Sequence, residues 1–98
     1  MNKNSNQRRI GFVAIIVYDR TGAHQKINEI LHKFSSIIVG RLGLPYRERN
    51  LSIISLIVDG NTDEIGAMTG QIGQIPNVTI KTGFAKVLDK APDQDEIQ

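Results

Sequence analysis

Apolar residues along the chain follow two rhythms, and the switches between them mark out the elements. Residues 10–18, IGFVAIIVY, are continuously apolar and rich in β-branched and aromatic side chains, the composition of a buried strand. DRTG breaks that run. From Ala23 the spacing becomes three and four, so that Ala23, Ile27, Ile30, Leu31 and Phe34 fall on one helical stripe. Thr21 or Asp19 is placed to cap this helix. After Ser35 and Ser36 a second strand is predicted over 37–44, weakened by Gly40 and Gly43. Pro45 ends it or marks a bulge, because proline cannot donate to a ladder. LSIISLIV, 51–58, is a third strand, and Asp59-Gly60-Asn61 is a turn. Residues 62–72 form a second helix with Ile65, Met68, Thr69 and Ile72 as its stripe and Gly73 as its C-terminal cap. Pro76-Asn77 turns the chain into a fourth strand over 78–84. Residues 1–9 and 87–98 read as tails around one domain spanning 10–86.

The order β-α-β-β-α-β is the split arrangement of ferredoxin-like folds. The fold class is therefore α+β: a four-stranded antiparallel sheet in the order fourth, first, third, second, with both helices on one face. Thr79 and Lys81 on one face of the fourth strand suit an edge position. Strand side chains alternate between faces. Val13, Ile15 and Val17 oppose Phe12, Ala14, Ile16 and Tyr18, and Ile54, Leu56 and Val58 oppose Ile53 and Ile57. Both faces are apolar, and two helices cover one. The other leaves a patch on the order of several hundred Å², more than monomers ordinarily expose. A homo-oligomer, dimer or tetramer, is expected, with Phe12, Ile16, Leu42, Leu44 and Tyr46 at the interface.

Composition narrows the function classes. Hydrophobic residues make up 40% and charged residues 22% of 98, the balance of one globular domain. A net charge of +2 is too small to argue for nucleic acid by itself. With no cysteine there is no disulfide, thiolate nucleophile or Cys-bearing metal site. The polar start has no signal-peptide pattern and no apolar run reaches a membrane-spanning length, so a cytoplasmic protein without membrane contact is expected.

Three segments carry candidate chemistry. In DRTGAHQKINEIL a tight turn leads from a central strand into a helix start, whose unsatisfied N–H groups suit a carboxylate or another small anion. The candidate ligand residues are Asp19, Thr21, Gly22, Ala23 and His24. His24 and His32 are eight apart, about 80° around a helix, so no intrachain metal site is expected. GAMTGQIG carries G-x-x-x-G, read as allowing a neighbouring element to pack closely on the second helix. GRLGLPYRER is read as a hairpin with interface residues. The alternative is a nucleic-acid contact through Arg41, Arg47 and Arg49, with neither an aromatic platform nor a recognition helix to support it. No catalytic constellation is present, so neither an enzyme nor a cofactor is expected.

DRTGAHQKINEIL resembles the D-x-x-G segment of ACT domains. RIGFVAIIVYDR, IIVGRLGLPYRERNLSIISLIVDG and TGQIGQIPNVTIKTGFAK together resemble a family of small ACT-like regulators of the iron-only hydrogenase system. The resemblance spans residues 9–86 and extends to the C-terminal regulatory domain of nickel-responsive, CopG-type repressors. It implies an oligomeric ACT-like domain with a regulatory role, sensing small ligands at the strand–helix turn and at subunit interfaces; a partner protein is expected to read the ligand-favoured arrangement. Those repressors read DNA through an N-terminal ribbon-helix-helix, which the nine residues before the first strand cannot form. Their nickel site uses several histidines and a cysteine, and two histidines without a cysteine do not carry it over.

Overall fold

A computed structural model describes residues 7–18 and 22–88. The first strand, β1 (Arg9–Val17), is followed by helix α1 (Ala23–Lys33) and a 3-10 turn at Ser35–Ile37. Strand β2 (Ile38–Tyr46) and a second 3-10 turn (Arg47–Arg49) lead into β3 (Leu51–Gly60). Helix α2 (Thr62–Gly73) and β4 (Val78–Ala85) follow. The sheet has the order β2-β3-β1-β4, with every neighbouring pair antiparallel. This is the ferredoxin-like arrangement expected from the apolar rhythm.

Alternation decides what lies in the core. Val13, Ile15 and Val17 of β1 and Ile54, Leu56 and Val58 of β3 are buried on one face of the sheet. The stripes of both helices join them in one cluster: Ala23, Ile27 and Leu31 from α1, and Ile65, Met68 and Ile72 from α2. Both helices therefore pack on that face. No polar or charged residue is buried among the described residues.

Local chemistry sets the ends of the helices. Asn61 and Glu64 form a capping box at the start of α2. The Glu64 N–H donates to Asn61 Oδ1 at 2.8 Å, and the Asn61 N–H donates to Glu64 Oε1 at 3.0 Å. The N-x-x-E spacing of this cap is present in the sequence at Asn61 and Glu64, and Asn61 falls within the stretch that the residues alone mark as a turn. The N-cap of α1 is Gly22, with no side-chain cap; Asp19 and Thr21, the expected caps, lie outside the described residues. Lys33 Nζ donates to Gln71 Oε1 at 3.1 Å and ties the two helices together.

Three local expectations are corrected. Pro45 neither ends β2 nor bulges it: the strand continues to Tyr46, and Pro45 pairs with Ser52. Because β2 is an edge strand, alternate N–H groups point away from the sheet, and a missing one is tolerated there. The irregularity falls between Ile38 and Gly40 instead. Gly73 is the last helical residue rather than a left-handed cap, and Gln74 closes α2 in the right-handed region.

The third correction concerns G-x-x-x-G. Gly66 and Gly70 are exposed, and a methyl group added at either would meet nothing within 4 Å. They admit no neighbouring element within the subunit. Their effect is to weaken α2 by leaving its backbone freer in the unfolded chain. Gly66→Ala with Gly70→Ala is expected to stabilise the fold by about 1–2 kcal/mol, read by urea unfolding. A loss of stability would mean that these glycines accommodate a neighbour after all.

Candidate functional site

The C-terminal end of β1, the start of α1 and the β2–β3 connection converge on one side of the molecule. They enclose an open cleft of about 370 Å³ lined by Val17, Tyr18, His24, Pro45, Arg47, Asn50, Leu51 and Ser52. Sheet order explains the convergence. Val17 pairs with Ser52, and Tyr46 pairs with Leu51, so the end of β1 lies beside the turn that joins the other two strands. The Tyr18 N–H donates to the Asn77 carbonyl at 2.9 Å, which fixes the end of β1 against β4.

Two backbone devices shape the walls. Gly22 has φ 155°, a conformation that side-chain-bearing residues rarely adopt, and it leads directly into α1. Asn50 is left-handed at φ 54° and ψ 42°, and its N–H closes the Arg47–Arg49 turn on the Arg47 carbonyl at 3.1 Å. Asparagine tolerates this region better than most residues. The turn holds Arg47 at the cleft.

The electrostatics favour an anion. Among the described residues no side chain caps the first-turn N–H groups of α1, and that turn carries no acidic residue to compete with a ligand. Arg47 makes no ion pair among the described residues, where the one ion pair joins Arg8 to Asp59. Tyr18 and His24 add a phenol and an imidazole, while Val17, Pro45 and Leu51 supply apolar wall. This combination suits a small carboxylate with an apolar part. It contains no nucleophile paired with a base. No cluster of three or more His, Asp or Glu that could hold a metal is found among the described residues.

The candidate residues are distributed as follows. Gly22, Ala23 and His24 stand together at the start of α1; Ala23 is buried in the core and His24 is exposed on the cleft. Asp19 and Thr21 lie outside the described residues. The three arginines of the nucleic-acid alternative stand at two places along the chain, one within β2 and two in the turn that follows it. Arg41 pairs with Leu56, which puts it on the helix face, and its Nη2 donates to Asn28 Oδ1. Arg47 and Arg49 sit in the turn beyond the end of β2. Phe12, Ile16, Leu42, Leu44 and Tyr46 all occupy the sheet face away from the helices, where Phe12, Leu42 and Leu44 are 50–64% exposed. Tyr18, Asn50 and Ser52 were not singled out by the sequence. Their signal was the strand order itself, which puts the end of β1 next to the β2–β3 turn.

That open face has a definite layout. One row runs Leu44, Ile53, Ile16, Thr79 across the four strands, and another runs Gly40, Ile57, Phe12, Gly83. Between them lie Leu42, Ser55, Ala14 and Lys81. The apolar area covers β2, β3 and β1, and turns polar at the β4 edge. Its end reaches Tyr46, Leu51 and Tyr18, beside the cleft.

Comparison with known proteins agrees with this architecture. Residues 9–82 match the family model TM1266-like, described as "Iron-only hydrogenase system regulator, putative". The solved structure of the uncharacterized protein TM1266 from Thermotoga maritima is 42% identical, with a TM-score of 0.79, over 82% of this chain and 100% of that one. The crystal structure of the ACT domain from GTP pyrophosphokinase of Chlorobium tepidum gives a TM-score of 0.65 at 17% identity, over 78% of this chain and 99% of that one. The solution structure of the same domain gives 0.60 at 15%, over 86% and 93%. At these identities the ACT domains establish the fold. None of the curated proteins matches the chain.

Proposed function

Because the chain belongs to the TM1266-like family, we propose that it is an ACT-like regulatory module of an iron-only hydrogenase system, acting in the cytoplasm as a homo-oligomer without enzymatic activity. Copies pack through the open sheet face, and a small effector binds at the seam in the cleft of Tyr18, His24 and Arg47. Binding there favours one arrangement of subunits over another, and that arrangement engages a partner protein. The observation that carries the reading is the continuity of the apolar face with the cleft at Leu51 and Tyr18.

The favoured effector is a small carboxylate or an amino acid. The start of α1 and Arg47 receive its charge, and Val17, Pro45 and Leu51 receive its apolar part. A metal is the other effector to try. His24 is exposed at the cleft rim, so symmetry-related copies can bring several imidazoles together where one chain cannot. Kinship with the nickel-responsive repressors would favour that choice.

Thermal unfolding in the presence of amino acids, nucleotides and divalent metals tests the ligand claim. At a hundredfold excess over Kd, an effector stabilises by about 2.7 kcal/mol and raises Tm by roughly 10–20 °C. Arg47→Ala and His24→Ala should abolish the rise for a carboxylate and a metal, respectively. If no compound shifts the native protein, the sensing role fails and only an interaction module is left.

A further inference from the structure

A second cleft lies at the opposite end of the sheet, where β1 begins and β4 ends, and we infer that it is a separate binding site for small phosphate-bearing anions. The inference goes beyond the effector cleft and shares no residue with it. The space is about 790 Å³, within the range of small-molecule sites, and is lined by Arg8, Arg9, Thr62, Phe84 and Lys86 among others.

Three observations converge on an anion. First, the two arginines are held in place before any ligand arrives. Arg8 Nε contacts Asp59 Oδ1 at 3.2 Å, and its Nη2 donates to the Asp59 carbonyl. The Arg9 guanidinium lies over the Phe84 ring, 4.7 Å from its centroid. Second, positive charge is left over. Asp59 balances Arg8, while Arg9 and Lys86 make no ion pair among the described residues. Third, α2 begins here. Thr62, its first residue, lines the cleft, and the capping box occupies the N–H groups of Asn61 and Glu64 while leaving those of Thr62 and Asp63 without an intrahelical partner. Neither carboxylate of that first turn lines the space, and Glu64 is engaged in the cap.

The donors lining one concavity therefore comprise a guanidinium, an ammonium, and the hydroxyl and N–H of Thr62 at the helix start. Such a set matches a group with several acceptor oxygens and at least two charges, such as a diphosphate, better than a single carboxylate. Ala85, Val87 and Leu88 add apolar surface beside it, which an organic portion of the ligand would cover.

Inorganic pyrophosphate, ATP and adenosine serve as probes in an amide NMR titration of the full chain. Pyrophosphate and ATP are expected to shift residues 7–9, 62–63 and 84–88, and adenosine alone is not. Raising the salt should weaken both markedly. Arg9→Gln and Lys86→Gln should each weaken pyrophosphate by about tenfold, since each removes a charge-assisted donor from an exposed position. His24→Ala and Arg47→Ala should leave it unchanged, which separates this site from the effector cleft. The inference is overturned if pyrophosphate perturbs nothing at this end. Shifts that survive the double substitution of Arg9 and Lys86 would overturn it equally.

Discussion

Leu56→Ala is expected to destabilise the subunit by about 3 kcal/mol and to lower Tm by roughly 15 °C. Leu56 is fully buried at the centre of β3, between Arg41 on β2 and Val13 on β1. Its side chain faces the helices in a cluster without polar members, so truncation leaves a cavity that no water can occupy favourably. A domain of this size has about 5–15 kcal/mol in total, so the loss is a large share. Gln25→Ala, on the exposed side of α1, should change stability by less than about 0.5 kcal/mol. Equal effects of the two substitutions would mean that the helices do not cover the face assigned to them.

The second large effect concerns the opposite face. Phe12→Asp is expected to weaken self-association by at least thirtyfold, about 2 kcal/mol. Phe12 is half exposed in the single subunit and sits beside Ile57, which is 42% exposed. Together with Ile16, Ile53, Leu42 and Leu44 they make a continuous apolar surface on three strands. Removing such a surface from water is worth about 25 cal/mol per Å², set against the cost of holding two bodies together. Ser55→Arg is the companion variant. Ser55 is exposed at the middle of the patch and contributes nothing to the core, so an arginine there leaves the subunit folded while blocking close approach of a second sheet. Sedimentation velocity across a concentration series reads both. A native-like circular dichroism spectrum for Ser55→Arg, together with dissociation, would separate loss of packing from loss of folding.

Some of this is written plainly in the residues. IGFVAIIVY and LSIISLIV alternate two apolar sets, so the same run that declares a strand also declares a sheet with two greasy faces. The stripe from Ala23 to Leu31 declares which helix covers one of them. What could not be read is where partners across the sheet come to rest. Pro45 argued for a strand end because its neighbours were unknown; on the edge strand that observation loses its force. Gly66 and Gly70 looked like a packing surface because small residues at that spacing admit a neighbour, and in the folded subunit no neighbour is there. The effector cleft brings together His24, which the helix start singled out, and Arg47, which the hairpin singled out for another purpose. Only tertiary structure joins them. The far cleft was hidden for a related reason. Arg8 and Arg9 look like part of a polar tail until Asp59 and Phe84, distant in sequence, hold them in place.

Multi-angle light scattering of the purified chain at micromolar concentration tests the shielding of the open face most directly. The account predicts the mass of two or four chains, falling to that of one in Phe12→Asp and Ser55→Arg. A single-chain mass for the native protein, stable and monodisperse over that range, would contradict it.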